Sequence, residues 1–163
     1  MPGNKNIFVK KKILIYGLGK SGLSSYLFLR KKNDIYLYDD NKNIIKNKKI
    51  KKLLIKSNHI NRINFDFIVI SPGINIKKCH LKAFLKKNLK KIITDLDIFY
   101  SHYSKNKNIT ITGTNGKSTT AKILFDVLKN QKKDVRLTGN IGNPILTEKK
   151  ITPKTIFVIE ASS

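Results

Sequence analysis

The sequence predicts an α/β protein in two parts, each built on a parallel sheet, with the second part only begun. Three observations predict it. Short apolar runs alternate with stretches whose apolar residues recur at helical spacing, the pattern of parallel strands joined by crossover helices. A polar stretch at 101–108 (SHYSKNKN) interrupts that alternation, which then restarts. In each half, a strand runs into a glycine-rich loop and then a helix.

In chain order, residues 11–16 (KKILIY) are a short apolar run ending at glycine and read as a buried strand. Leu23, Tyr26 and Leu27 mark a helix over 22–31, and 35–38 form a second strand closed by Asp39 and Asp40. Residues 41–64 are lysine-rich and weakly periodic, so only short elements are expected there. A third strand at 67–70 stops at Ser71-Pro72-Gly73. Leu81, Phe84, Leu85 and Leu89 mark a helix face, and 91–94 form a fourth strand. Asp95 and Asp97 fit the acidic first turn of an exposed helix better than a catalytic pair.

After the polar stretch, 109–112 read as a strand. A helix follows the glycine loop to about Asn130, with Ile123, Leu124, Val127 and Leu128 facing inward. Strands at 135–138 and 155–159 flank the turn-rich 139–144. The expected division is a domain at 1–100, a linker at 101–108 and the start of a second domain at 109–163. A half-sheet ending on a strand suggests a fragment. Its Phe157-Val158-Ile159 run is expected on an open edge, with weak protection after Asn108.

Composition excludes several classes. Hydrophobic residues are 40% of the 163, enough for a packed core. The single cysteine, Cys79, forbids an intrachain disulfide. The start MPGNKNIFVKKK has no apolar signal region, and no apolar run approaches the roughly 20 residues of a membrane helix. A cytoplasmic monomer without membrane insertion is expected. The net charge of +24 invites a nucleic-acid partner, but the lysines are spread along the chain among Asn and Ile. All three residues have A/T-rich codons, so a biased genome produces the same composition. No zinc-finger spacing or aromatic RNA-binding signature accompanies the charge, and no nucleic-acid partner is expected. The charge still favours acidic small molecules. His59, His80 and His102 lie too far apart to form a ligand motif, and they and Cys79 read as bystanders.

Two loops carry chemistry. Gly17-Leu18-Gly19-Lys20-Ser21-Gly22 is a G-x-G-x-x-G between strand and helix. Gly17 permits the tight turn, Gly19 lets backbone approach a diphosphate, and Gly22 permits close helix packing, as in Rossmann-like domains. The helix N-terminus offers free N–H groups, and Asp39 ends the next strand where a ribose-binding acid would lie. This supports a nucleotide-like ligand without choosing NAD; a glycine turn with no ligand is the other reading.

The second loop, Thr112 to Thr120 (TGTNGKSTT), follows a strand and opens a helix, as a phosphate loop must. It departs from G-x-x-x-x-G-K-[ST] in having Ile111 at the first glycine, but keeps Gly116-Lys117-Ser118. Loop N–H groups cradle phosphates, Lys117 reaches the β/γ-phosphates, and the Ser118 hydroxyl suits Mg²⁺. A lysine about 4 Å from a phosphate charge gains roughly 4 kcal/mol at an effective dielectric near 20. The helix end adds only about 0.3–1 kcal/mol. Glu160 ends the run FVIE; it is either a Mg²⁺ ligand or a surface acid, and spacing alone does not choose.

Gly113 to Thr120 resembles the ATP loop of Mur ligases and the related folylpolyglutamate synthases. GLGKSGLS at 17–24, SPGI at 71–74, GNIGNP at 139–144 and IEASS at 159–163 narrow the resemblance to the branch that adds D-glutamate. The resemblance spans essentially the whole chain. It implies a Rossmann-like domain for the UDP moiety, then the start of a P-loop-type ATP-binding domain. The implied reaction is ATP-dependent: an acyl phosphate forms on UDP-N-acetylmuramoyl-L-alanine and is attacked by the D-glutamate amine, in peptidoglycan synthesis.

By that resemblance Gly113, Thr114, Asn115, Gly116, Lys117, Ser118 and Thr119 bind ATP. Ser118 and Glu160 bind Mg²⁺, and Lys117 and Glu160 serve catalysis. Gly19, Lys20, Ser21, Asp39 and Gly73 contact the UDP end, and Asn140 the muramoyl substrate. The family's later catalytic residues and D-glutamate domain would follow Ser163, so residues 1–163 alone are expected to be inactive. Other readings are another Mur ligase, a folylpolyglutamate synthase-like ligase, or, from the first loop only, a nicotinamide-dependent dehydrogenase domain.

Overall fold

A computed structural model describes residues 7–41, 43–44 and 48–161, with backbone only for 48 and 49. The ends of the IEASS segment, Ser162 and Ser163, lie outside the described residues. The chain forms two compact units, Met1–His102 and Tyr103–Ser163.

In the first unit the elements are β1 (Lys12–Tyr16), α1 (Lys20–Leu29), β2 (Asp34–Tyr38), α2 (Lys48–Lys51), α3 (Ser57–Ile60), β3 (Phe67–Ile70), α4 (Lys82–Lys87), β4 (Ile92–Ile93) and α5 (Asp95–His102). Its sheet has the order β2-β1-β3-β4, every pair parallel. Because β1 is central, both faces of KILIY need cover, which is why the run is continuously apolar and buried from Ile13 onward. Leu14, Tyr16, Ile68 and Ile70 pack with Ile60 of α3 and Leu85 of α4. Helix α1 lies against β1 and β3 and touches α5.

The second unit holds β5 (Lys107–Ile111), α6 (Lys117–Asn130), β6 (Val135–Gly139) and β7 (Ile156–Glu160), in a parallel sheet of order β5-β7-β6. Helix α6 packs Ala121, Leu124, Phe125 and Leu128 around Val135 and Val158. In the first sheet the connection reverses between two neighbouring strands, β1 and β3. Ligands of open α/β sheets bind at the carboxyl ends of such neighbours.

Four readings of the sequence need correction. The stretch 101–108 is mostly ordered: α5 continues to His102 and β5 starts at Lys107, leaving 103–106 as the connection. Polar Lys107 and Asn108 form strand because they pair in register with Ile156 and Phe157 at a sheet edge, where a polar strand is tolerated. Phe157, Val158 and Ile159 are fully buried, because β7 inserts between β5 and β6 instead of lying on an open edge. On α6, Ile123 and Val127 are 58% and 48% exposed. The inward stripe is 121, 124, 125 and 128, one helical face, and 123 and 127 fall behind it. Leu89 is exposed as well, since α4 ends at Lys87.

Among the described residues, no helix is long and apolar enough to cross a membrane.

Candidate functional site

The first loop leaves β1 with Gly17 at φ +91°, and its N–H bonds the Tyr38 carbonyl at 3.0 Å. A Cβ on Gly17 would sit 2.8 Å from both Ile74 Cγ1 and Ser71 Cβ. One on Gly22 would sit 1.8 Å from the Gly17 carbonyl oxygen. That oxygen accepts the buried Ser71 hydroxyl at 2.6 Å. Ser71 therefore closes the switch point by joining the end of β3 to the turn after β1. Sequence reading took it as a strand stop and as part of the SPGI motif, with no partner assigned.

Gly19 and Gly73 face open space, so backbone there stays approachable. Helix α1 begins at Gly19 with no side-chain cap and no acidic residue in its first turn. Its N–H groups suit an anion for that reason. Lys20 is exposed beside them.

The second loop stretches from β5 to α6 with Gly113 at φ +142° and Gly116 at φ +75°, and an added Cβ at either would meet nothing within 4 Å. Thr114, Asn115, Gly116, Ser118 and Thr119 are exposed. The Lys117 ammonium folds back onto the loop's own carbonyls, those of Gly113 and Thr114. Glu160 ends the central strand β7, is only 5% exposed, and accepts the Ser118 hydroxyl at 3.0 Å on Oε2. It is therefore no surface acid. The two residues meet because β5 and β7 are neighbours. Gly139 brings β6 equally close: a Cβ there would lie 2.2 Å from the Glu160 carbonyl oxygen, which accepts the Asn140 N–H at 3.0 Å.

A model of the family described as Mur ligase MurD-like, N-terminal domain, matches residues 11–93. The chain belongs to the Mur ligase family. Curated relatives agree across its length. It is 40% identical to a UDP-N-acetylmuramoylalanine--D-glutamate ligase of Rickettsia felis, over 97% of this chain and 35% of that one. It is 37% identical to the ligase of that name from Caldicellulosiruptor bescii, over 94% of this chain and 35% of that one. The chain thus spans about a third of the length of these relatives. Among solved structures, a UDP-N-acetylmuramate:L-alanyl-gamma-D-glutamyl-meso-diaminopimelate ligase from Neisseria meningitides superposes with a TM-score of 0.52. It covers 93% of this chain at 17% identity and 52% of that chain, a likeness of fold.

Not every residue singled out in this Mur ligase chain presents its side chain to a ligand. The Ser21 hydroxyl is engaged by buried Asp95, tying the start of α1 to the start of α5. Asp95 is thus an internal partner, whereas Asp97 accepts the Thr94 N–H and hydroxyl at 2.7 and 2.8 Å and caps α5. Asp39 accepts the Leu18 N–H at 2.6 Å and the Asn41 N–H at 2.8 Å. Its carboxylate holds the glycine loop in place, and lone pairs remain for a ligand. It also lines a cavity of about 780 Å³ with Tyr38, Asp40, Ser57 and His80. In the sequence Asp40 read only as a strand end and His80 as a bystander. The doubled acid after β2 was the one signal, and nothing in the spacing ties it to His80.

Proposed function

We propose that this chain supplies the UDP-binding unit and the phosphate-loop part of an ATP-dependent amide ligase that joins D-glutamate to UDP-N-acetylmuramoyl-L-alanine. The observation that carries this reading is the Ser118–Glu160 pair at the mouth of a lysine-bearing glycine loop. Its support is the identity to D-glutamate ligases along nearly the whole chain.

The first unit receives the UDP end, at Gly19, Lys20, Asp39 and Gly73. Ser21 belongs to the same set, with its hydroxyl also engaged by Asp95, and Asn140 in the second unit meets the muramoyl part. ATP lies on 113–119. Its β- and γ-phosphates replace the loop carbonyls as partners of Lys117, so the ammonium moves from two backbone oxygens to full negative charges. A hydroxyl and a buried carboxylate 3.0 Å apart are hard oxygen donors that fit Mg²⁺, which typically takes one or two protein oxygens and completes its shell with phosphate and water. Bound there, Mg²⁺ neutralises charge on the transferring phosphoryl group. The substrate carboxylate takes the γ-phosphoryl group from ATP, releasing ADP. The D-glutamate nitrogen then displaces phosphate from the acyl phosphate and loses a proton as the amide forms.

Titration calorimetry tests the assignment with UDP-N-acetylmuramoyl-L-alanine, with ATP and Mg²⁺, and with NAD. Binding of the first two but not NAD is expected. Lys117→Ala should weaken ATP binding by on the order of a hundredfold, less than a full charge contact implies because the loop stays solvated, and leave the UDP ligand untouched. NAD binding with no UDP binding would overturn the reading.

A further inference from the structure

The 780 Å³ cavity beside the first loop has a wall of titratable groups that the substrate contacts above leave unused. Tyr16, at the end of β1, is fully buried, and its hydroxyl donates to Asp40 Oδ2 at 2.7 Å. The other oxygen of Asp40, Oδ1, is buried without a well-directed donor, and His80 Nδ1 stands 3.0 Å from it. Burial works to raise the Asp40 pKa. Hydrogen bonds from Tyr16 and His80 outweigh it and hold the carboxyl below its usual range. Burial first, then Asp40, pushes the Tyr16 phenol far up, so it remains a neutral donor. Asp40 is thus held as an anion, fastened from the core side by Tyr16 and faced on the other by His80.

His80 follows β3 on the segment that carries Gly73, and Asp40 follows β2 beside Asp39. The contact therefore spans the two segments that flank the cavity. We propose that Tyr16, Asp40 and His80 form a positioning relay: the phenol holds the carboxylate, the carboxylate holds the imidazole, and the segment after β3 is thereby drawn into place for the UDP-sugar. This rests on the assignment of that edge to the UDP end. Of the three residue types only histidine changes charge between about pH 5 and 8.

The other groups facing the relay are accounted for. Asp39 is committed to two backbone N–H groups. Lys51 and Lys56 line the same cavity. Tyr38 has its pKa raised by burial and then by Asp40, and Cys79 adjoins Tyr16. His80 is 75% exposed, so the effect should be on the order of two- to fivefold, the size of an exposed pair.

The test measures affinity for UDP-N-acetylmuramoyl-L-alanine, whose diphosphate does not titrate near neutrality, at several pH values from about 5.5 to 8.5. Alongside, amide protection factors of residues 75–81 are followed without ligand. In the unaltered chain, affinity and protection should both fall two- to fivefold with rising pH. His80→Gln should be flat at the weak level, and His80→Lys, charged throughout, flat at the tight level. Identical profiles for the unaltered chain and His80→Gln, or His80→Lys behaving as His80→Gln, overturn the relay. If the ligand fails to bind at any pH, the site assignment fails instead, and the protection factors still decide the relay.

Discussion

The two glycine loops of this chain each join the carboxyl end of a parallel strand to a helix and are built in opposite ways. The first is packed: Gly17 and Gly22 have no room for a Cβ, Ser71 fastens the Gly17 carbonyl, and Asp39 fastens the Leu18 amide. The second is open: Gly113 and Gly116 face empty space, and Lys117 rests on the loop's own carbonyls. A loop whose polar groups are satisfied internally is part of the core. A loop whose lysine rests on its own backbone carbonyls leaves its glycines facing open space. The first loop is thus fastened on either side of an open Gly19, whereas the second has open glycines throughout.

The largest expected effect would break this comparison outright. Gly22→Ala places a methyl 1.8 Å from a backbone oxygen that cannot turn aside, and should cost more than ~3 kcal/mol and unfold the first unit. Gly116→Ala meets no atom and carries only the left-handed backbone penalty of about 1–2 kcal/mol. Urea melts of both variants decide the matter; equal losses would show that the loops do not differ in packing.

Next in size is a pair of serine substitutions. Ser71→Ala strips the donor from the Gly17 carbonyl and should cost about 1–3 kcal/mol without altering the Mg²⁺ dependence of ATP binding. Ser118→Ala lies in the exposed first turn of α6, and its main effect should be a weaker Mg²⁺ dependence of ATP affinity. Thermal melts and titrations at varied Mg²⁺ separate the two; exchanged phenotypes would reverse the roles given to the loops.

The smallest effect concerns acid. His102 packs against the rings of Phe8 and Phe28, and burial lowers its pKa. The folded state therefore favours the neutral ring. Its stabilising share is full above the ordinary histidine value of about 6.5 and is lost as pH falls below it. In the second unit, the Thr155 hydroxyl, working against desolvation and aided by Arg136, lowers the Asp134 pKa. That share is full above about 3.9 and is lost only as pH falls further. Asp66, held down by the Lys12 amide, titrates in this lower window too. Hydrogen exchange of β1 and β7 at pH values near 7, 5 and 4 should show β1 losing protection first. Loss in β7 first would contradict the assignment.

Much of this was legible in the sequence because it is local. Strand runs, helix stripes and the glycines at 17, 22, 113 and 116 follow from side-chain period and backbone sterics within a few residues of each position. Where the reading slipped, a distant partner decided. Lys107 and Asn108 look like linker until Ile156 and Phe157 pair with them. Ile123 and Val127 look like core until the sheet selects the face through Ala121. Asp95 looks like an exposed first-turn acid until Ser21 meets it from 74 residues away.

By itself, then, the sequence determined that there are two α/β halves, that each carries a glycine loop between strand and helix, and which family the loops resemble. Only the tertiary structure decided that Ser71 closes the first loop across 54 residues and that Glu160 meets Ser118 across 42. It also decided that Asp40 faces His80. The physical reason is strand order. Each loop is encoded by its own residues, but its neighbour is whichever strand the sheet places beside it. That choice is made by hydrogen-bond pairing and by burial of both sheet faces, over separations that no local pattern records.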